Sequence, residues 1–157
     1  MIIGIFACAV IDKYKQQILK INETWGKYAE NKGIKVLFFL GEEQTDLIGD
    51  QYIYLKNVKN DFLSASYKQN LGLKYIHEHY DYQFVYCCGT DTYINIEKLM
   101  QYISNFNEND KHYIGCGYGL YGDLLYRQIG NKNIYYHSGG PGFIISKHTL
   151  TYLYPML

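Results

Sequence analysis

The segment Phe84–Asn95 constrains the fold of this chain more than any other part of its sequence. It begins as an apolar, β-prone run over residues 84–87 and ends in a small polar turn that carries one acid, Asp91. This pattern is typical of a buried strand that delivers a carboxylate to the edge of a sheet. In open α/β sheets that edge is where ligands bind. A carboxylate there is a suitable ligand for a hard divalent cation, and such a cation neutralises a diphosphate.

The length and charge of the chain exclude several classes of protein. A chain of 157 residues predicts a single domain over 1–157, and its apolar fraction of 48% is ample for a packed core. The 15 basic residues equal the 15 Asp and Glu residues, so no basic field attracts nucleic acid. No apolar run is long enough to span a membrane. The first residues lack a basic leader, so we expect a core strand there and a cytoplasmic protein.

The four cysteines do not form a recognisable metal or disulfide pattern. Cys8, Cys87, Cys88 and Cys116 include no C-x-x-C pair, so the spacing of a zinc site is missing. Cys87 and Cys88 are adjacent, and neighbouring side chains on a strand point to opposite faces. We therefore expect buried free thiols in a reducing compartment.

Strand-like and helix-like segments alternate along the chain. Strands are predicted at 2–10, 34–40, 52–55, 84–87, 113–117, near 126–129 and at 143–145. Helices are predicted at about 13–30, 61–79 and 95–106, and from Lys147 onward, whereas most of 117–133 shows no clear period and is interpreted as a loop. This order predicts an α/β layered domain with a largely parallel sheet.

Five motifs follow one another in an informative order. They are Glu23-Thr24-Trp25-Gly26, then Phe38-Phe39-Leu40-Gly41, then Asp61-Phe62 with Tyr67, Asn70-Leu71 and Lys74, then Thr90-Asp91-Thr92-Tyr93-Ile94-Asn95, and last the run from His137 to Ser146 with its Ser138-Gly139-Gly140-Pro141-Gly142 turn. This series resembles the β-1,3-galactosyltransferase and Fringe family of glycosyltransferases, which have the GT-A fold. The resemblance covers nearly the whole chain and depends on the order of the motifs. It implies a Rossmann-like, three-layer α/β/α domain with a mostly parallel central sheet.

The resemblance also implies substrates and a site. The donor is a nucleotide-sugar, usually a UDP-sugar, held with Mn²⁺ or Mg²⁺, and the acceptor is a glycan hydroxyl that receives the sugar with inversion at the anomeric carbon. Glycines in the turn at 138–142 let a sugar approach the backbone closely. The expected donor-binding residues are Ala7, Cys8, Ala9, Asp12, Lys74, Gly89, Thr90, Asp91, Ser138, Gly139 and Gly140.

The metal ligand implied by the resemblance is Asp91. The acidic triplet of the family aligns with Gly89-Thr90-Asp91, in which only the third acid is present, and in the family that third acid binds the metal directly. His137, just before the glycine turn, is a second and weaker candidate ligand. The alternative for Asp91 is a structural role, as an Asx turn or a cap for the helix that begins near Asn95.

The catalytic base is missing from the part of the family pattern that this sequence covers. In the family an acidic pair beyond the Ser-Gly-Gly element supplies the base, and the sequence ends at Leu157 before it. We therefore expect a fold that is incomplete at its C-terminus. Asp123, in the irregular segment where an acceptor is expected to bind, is a weak candidate base. Two alternative functions stay open, a catalytically inactive nucleotide-sugar-binding module and a nucleotidyltransferase.

Overall fold

The computed structural model describes residues 1–42, 45–61, 63–116 and 126–157. Its strands are β1 (Ile2–Phe6), β2 (Lys35–Leu40), β3 (Tyr52–Tyr54), β4 (Phe84–Gly89), β5 (Tyr113–Gly115), β6 (Tyr126–Ile129), β7 (Lys132–Tyr135) and β8 (Phe143–Ser146). Its helices are α1 (Asp12–Glu23), α2 (Trp25–Asn31), α3 (Ala65–His79), α4 (Ile96–Ile103) and α5 (Lys147–Leu153), with a short 3₁₀ helix at Tyr154–Met156.

The central sheet has six strands in the order β3-β2-β1-β4-β8-β5. Strands β3, β2, β1 and β4 run parallel, and β8 is antiparallel to both of its neighbours, β4 and β5. From β1 the chain moves outward to β2 and β3, and it then places β4 on the other side of β1. The strand order therefore reverses between β1 and β4, which is the position where open α/β sheets bind ligands.

The core lies on both faces of this sheet. Successive residues of β2 point to opposite sides of the sheet, since Phe38 belongs to one buried cluster and Phe39 to the other. The first cluster includes Trp25 with residues of α1 and α4, and the second includes Ile76 and Leu150 from α3 and α5. The sheet is thus covered by helices on both faces. This confirms the predicted three-layer, mostly parallel α/β fold, which is consistent with the GT-A fold.

The predicted helix over 13–30 was wrong in one respect, since it is two helices. The backbone of Thr24 leaves helical geometry, at φ −119° and ψ −114°. Its hydroxyl donates a hydrogen bond to the carbonyl of Lys20 at 2.6 Å, and its N–H bonds the carbonyl of Ile21 at 3.2 Å. Thr24 therefore satisfies the last carbonyls of α1, and α2 begins at Trp25.

Helix α3 begins later than the sequence predicted. Asp61, the expected start, lies outside the helix and its Oδ1 accepts the N–H of Ser64 at 2.8 Å. This hydrogen bond closes a turn before the first helical residue, Ala65. The turn keeps Asn60 and Asp61 at the edge of the sheet.

Strands β6 and β7 form a separate two-stranded sheet, which we call the ribbon (residues 126–135). The strand predicted near 126–129 is confirmed, whereas its partner β7 was not predicted. All residues of both strands are exposed. Residues 117–125, between β5 and the ribbon, lie outside the described part of the chain.

Within the described ranges, no helix combines the length and apolarity that a membrane span requires.

The turn before β8 depends on glycine at position 142. Gly142 has φ +95°, and a Cβ there would lie 2.7 Å from the carbonyl oxygen of Cys87. We expect Gly142→Ala to lower the free energy of unfolding by about 3 kcal/mol, from left-handed strain plus a backbone clash. Gly130→Ala is the matched control, because Gly130 has φ +59° but open space around it. It should cost only about 1 kcal/mol. Urea unfolding measures both, and equal losses would contradict this account of the turn.

Candidate active site

A cavity of about 460 Å³ lies at the carboxyl ends of β1 and β4. It therefore occupies the point where the strand order reverses. Its lining comes from the two strand ends, the start of α1, the loop before α3, the first turns of α3, and the glycine turn before β8. The lining residues are Phe6, Ala7, Cys8, Ile11, Tyr14, Asn60, Asp61, Ala65, Lys68, Gln69, Gly89, Thr90, Asp91, Gly139 and Gly140.

The end of β1 forms one side of the cavity. The N–H of Ala7 still bonds the β2 carbonyl of Phe39 at 2.9 Å, so the backbone follows the sheet one residue past the strand. The carbonyl of Ala7 instead accepts a hydrogen bond from the Lys68 ammonium at 2.7 Å. Where the cavity opens, the end of β1 is therefore bonded to β2 through its N–H and to α3 through its carbonyl.

Lys68 is the buried charge of this site. Lys68 is only 2% exposed. Besides its bond to Ala7, its Nζ donates a hydrogen bond to Oδ1 of Asn60 at 2.8 Å. Burying an ammonium is costly unless its donors are hydrogen-bonded, and here two oxygens accept from it. Among the described lining residues Lys68 is the one basic side chain. It supplies positive charge to a cavity that is otherwise acidic or neutral.

Asn60 holds the loop before α3 against the sheet. Its Oδ1 accepts the N–H of Gly41 at 3.1 Å, just after β2, in addition to the Lys68 bond. Its carbonyl accepts a weak hydrogen bond from the Cys8 thiol at 3.6 Å. The segments that carry Cys8, Gly41 and Lys68 thus meet at Asn60, through its side-chain oxygen and its backbone carbonyl, which gives the cavity a defined wall.

Asp61 follows in the same loop and lines the cavity. Hydrogen bonds from Ser64 hold the pKa of the Asp61 carboxyl below its ordinary value, and the charges of Lys59 and Lys68 act in the same direction. Asp61 is therefore ionised at neutral pH. Because it already accepts the N–H that begins α3, its first role is to shape the entry to the helix.

The end of β4 carries the acid that the sequence singled out. Asp91 is exposed and lines the cavity, and none of the hydrogen bonds or ion pairs among the described residues involves its carboxylate. A Cβ at position 89 would lie 2.9 Å from Oδ1 of Asp91, so Gly89 leaves room for the carboxylate to fold back over the strand end. The Thr90 hydroxyl donates to Oε1 of Gln17 at 2.6 Å, which binds this turn to α1.

The glycine turn before β8 closes the opposite side. The carbonyl of Gly140 accepts the N–H of Gly89 at 3.2 Å and the hydroxyl of Thr92 at 2.8 Å. Gly139 lies close to Gln69 of α3, because a Cβ there would be 2.8 Å from its Nε2. The turn therefore presents backbone, without side chains, to the interior of the cavity.

The structure brings most of the predicted donor-binding residues together. Those that line the cavity are Ala7, Cys8, Gly89, Thr90, Asp91, Gly139 and Gly140. Others lie elsewhere. Ala9 is buried in the core on the α1 side of the sheet, and Asp12 is the exposed first residue of α1. Ser138 donates its N–H to the carbonyl of Cys116 and does not line the cavity.

Lys74 and His137 are also placed away from the cavity. The Nζ of Lys74 lies 5.9 Å from the ring centroid of Tyr154, which belongs to the 3₁₀ helix near the end of the chain. The Nε2 of His137 donates to the carbonyl of Tyr113 at 3.2 Å, and its ring is 4.5 Å from the Tyr113 ring. The geometry therefore gives no support to a donor contact by Lys74 or a metal contact by His137.

Several cavity residues were missed by the sequence analysis, above all Lys68. A signal for it exists, because Lys68, Gly72 and Ile76 recur every four residues and are all buried on the sheet side of α3. Tyr14 and Ile11, at the mouth, gave a weaker signal as exposed apolar residues beside a strand end. Asp123, the candidate base, lies outside the described residues.

The buried thiols beside the cavity are unreactive at physiological pH. Burial raises the pKa of Cys87 to about 12, and burial likewise raises the pKa of Cys88 well above its ordinary value. Both are therefore neutral thiols at physiological pH, and the thiolate is the reactive form of cysteine. Only these two of the four cysteines are buried, so the expectation of buried thiols fails for half-buried Cys8 and exposed Cys116.

The family of the chain follows from a comparison of its sequence. A sequence profile described as Fringe-like matches residues 5–157. The chain belongs to the Fringe-like family. The match covers all the residues that line the cavity and the whole central sheet except the first three residues of β1, which confirms the resemblance seen in the motifs. A search of curated proteins found no match.

Membership assigns this Fringe-like chain to a class of enzyme. The family is one of glycosyltransferases, whose reaction requires a sugar donor and a glycan acceptor. Among the described residues, no group of three or more His, Cys, Asp or Glu side chains is arranged to hold a metal ion. Asp61 and Asp91 are the two carboxylates among the described lining residues, and Asp61 already accepts the N–H of Ser64. Any cation on Asp91 therefore needs further oxygens from its substrate or from water.

Proposed function

We propose that this Fringe-like chain transfers a sugar from a UDP-sugar to a glycan hydroxyl, with inversion and with a divalent cation. The observation that supports it best is the position of Asp91. Its exposed carboxylate lies at the carboxyl end of β4, beside a glycine turn, in a cavity of this chain. The family of the chain transfers sugars. A nucleoside diphosphate needs a cation, backbone donors and a flat apolar contact for its base, and this cavity offers residues for each.

The residues present fit Mn²⁺ or Mg²⁺ in one specific way. Mg²⁺ is commonly bound through one or two carboxylates together with substrate phosphates and water. Asp91 is available for this role because its carboxylate is exposed and makes no hydrogen bond to another described residue. When bound, the cation neutralises the charge that develops on the leaving diphosphate. The absence of acids at 89 and 90 predicts weak metal affinity without donor.

The other cavity residues position the donor. Lys68 places a positive charge at the base of the cavity, close to the carbonyl of Ala7 and away from bulk water. This charge favours the approach of an anionic diphosphate, and it acts strongly because the surroundings are poorly solvated. Gly139 and Gly140 let the sugar approach the backbone. Tyr14 and Ile11 offer apolar surface at the mouth, on which a nucleobase can pack.

Inverting transfer is a single displacement. The acceptor oxygen forms a bond to the anomeric carbon as the bond from that carbon to the diphosphate oxygen breaks, and the hydroxyl proton passes to a base. The candidate base stays Asp123, outside the described residues. The cavity contributes alignment of donor and acceptor, which converts an encounter of two molecules into a step within one complex.

A second candidate function is a nucleotide-sugar-binding module without catalysis. The observation that favours it is the replacement of two acids of the family triplet by Gly89 and Thr90, of which Thr90 is engaged with Gln17. Such a module would bind UDP in the presence of Mn²⁺ but would release no product. The family match supports either of these functions over a nucleotidyltransferase.

Product release distinguishes these functions. The intact chain is incubated with a panel of UDP-, GDP- and CDP-sugars and Mn²⁺, with and without a mixture of oligosaccharides, and free nucleoside diphosphate is measured. We expect UDP release from at least one UDP-sugar, abolished by EDTA and increased by acceptor. UDP binding without release supports the inactive module. Pyrophosphate release from UTP and a sugar 1-phosphate would overturn the proposal in favour of a nucleotidyltransferase.

A further inference from the structure

The ribbon formed by β6 and β7 is exposed on both of its faces. Every residue of the two strands is exposed, and the ribbon is hydrogen-bonded as a sheet of its own. An isolated two-stranded hairpin is only marginally stable in water, and exposed tyrosines and isoleucines add to the cost. A bound partner would cover this surface, and the chemistry of each face indicates which partner fits.

The register of the ribbon sorts its side chains into two different faces. Tyr126 pairs with Tyr135 and Gln128 with Asn133, and directly paired residues share a face in antiparallel strands. These four side chains form what we call the aromatic–amide face. It carries no charge.

The opposite face, which we call the basic face, has another composition. Arg127 pairs with Ile134, and Ile129 pairs with Lys132. Two cations and two aliphatic side chains suit an anionic or apolar partner. The two faces therefore predict different ligands, and they can be tested separately.

The aromatic–amide face has the chemistry that recognises neutral sugars. The rings of Tyr126 and Tyr135 have centroids 6.0 Å apart, and the two residues are 55% and 59% exposed. The apolar C–H face of a sugar ring packs on such rings, and tyrosine loses little conformational entropy when it binds. Gln128 and Asn133 amides both donate and accept, so they match hydroxyl groups in either role. A neutral oligosaccharide is thus a better match than an acidic one.

The ribbon is directly connected to the donor cavity. Only three residues separate Tyr135, the end of β7, from Gly139, which lines the cavity, so the two are at most about 14 Å apart. The connecting backbone is fixed, because Ser138 bonds the carbonyl of Cys116 at 2.8 Å and the N–H of His137 bonds the Tyr113 hydroxyl at 3.4 Å. A glycan on the ribbon can therefore extend toward the transferred sugar.

We propose that the aromatic–amide face binds the neutral oligosaccharide acceptor. This inference rests on the proposed function, since it names the surface that holds the second substrate of the same reaction. It assigns the basic face no part in acceptor binding.

Glycan binding by the intact chain tests this assignment. The probes are an array of neutral oligosaccharides, a set of sialylated and sulfated oligosaccharides, and vesicles that contain phosphatidylserine. The variants Tyr126→Ala, Tyr135→Ala and Gln128→Ala alter the aromatic–amide face, and Arg127→Ala and Lys132→Ala alter the basic face as matched controls. Gln128→Ala keeps the tyrosine pair that holds the strands together, so it separates lost recognition from a lost ribbon.

We expect neutral oligosaccharides to bind, with at least about tenfold weaker affinity in each tyrosine variant and unchanged affinity in the basic-face variants. Gln128→Ala should weaken binding by about three- to tenfold. No binding of any neutral glycan, or equal losses from both faces, would overturn the inference. So would binding only to acidic glycans or vesicles that is lost in Arg127→Ala.

UDP affinity in Mn²⁺ is measured for every variant in parallel. Unchanged UDP affinity together with lost glycan binding supports the ribbon as acceptor surface. UDP binding by a chain that binds no neutral glycan overturns the inference and leaves the donor site intact. Glycan binding by a chain that binds no UDP overturns the proposed transfer instead.

Discussion

Asp91→Ala is expected to weaken the Mn²⁺-dependent affinity of the chain for UDP by at least about 100-fold. Loss of groups that merely orient a metal ligand costs roughly 10- to 100-fold in metal affinity, so loss of a direct ligand should cost at least the upper value. The effect is large here because the other acid among the described lining residues, Asp61, already accepts the N–H of Ser64. Calorimetric titration of UDP at fixed Mn²⁺ measures the change in affinity. Release of UDP from the UDP-sugar should fall with it.

Asp12→Ala is the matched control for that experiment. Asp12 is also an exposed acid near the end of β1, but it is the first residue of α1 and does not line the cavity. Its replacement should change UDP affinity by less than about twofold. Equal losses from the two variants would mean that general negative charge matters and not a carboxylate at the end of β4.

Lys68→Met is expected to lower the free energy of unfolding by about 3 kcal/mol. The substitution keeps the length of the side chain but removes the donor shared by the Ala7 carbonyl and the Asn60 amide oxygen. A hydrogen bond to a charged group contributes about 1.5–3 kcal/mol, and a buried acceptor left without a donor carries a further cost. Urea unfolding measures the stability, and UDP affinity should fall as well because the cavity loses its basic side chain.

Lys74→Met is the control on the same helix. Lys74 is partly exposed and its Nζ contacts the Tyr154 ring, so we expect a loss of no more than about 1 kcal/mol and no change in UDP affinity. If Lys74→Met weakened UDP binding more than Lys68→Met did, the assignment of the cavity lysine would be wrong.

The strands of the central sheet could be predicted because their sequences are apolar on both faces. Residues of β2 such as Leu37 and Phe38 are fully buried on opposite sides, and a buried parallel strand requires this composition. The same argument located Asp91, since a polar turn after a buried strand lies at the sheet edge. Fold class and the central acid are thus encoded locally.

The lysine of the cavity could not be chosen by the same reasoning. Lys68 and Lys74 lie six residues apart on one helix, and the motif order favoured Lys74. Only the packing of α3 against the sheet decides which lysine is buried. The four-residue spacing of Lys68, Gly72 and Ile76 is the sign of that packing in the sequence. The role of Asn60 could not be predicted from the sequence either, because its partners Gly41, Cys8 and Lys68 come from three other segments.

Strand β7 was missed for a different reason. Its sequence, Lys132–Tyr135, is mostly polar and packs against no core, so it has neither an apolar run nor a buried face. The pairing depends on the turn at Gly130, where φ is +59°, and on cross-strand partners such as Tyr126 and Tyr135. Hairpins of this kind are specified by turn geometry, which a hydrophobic pattern does not show.

The most direct test of the central claim is a titration of UDP into the unmodified chain and into Asp91→Asn, each with Mn²⁺ and with EDTA. The account predicts that Mn²⁺ strengthens UDP binding by the unmodified chain by at least about tenfold. It also predicts that Mn²⁺ has no effect on the variant, which keeps the size of the side chain and loses its charge. Equal UDP affinity with and without Mn²⁺, or a variant that responds to Mn²⁺ as the unmodified chain does, would contradict the account.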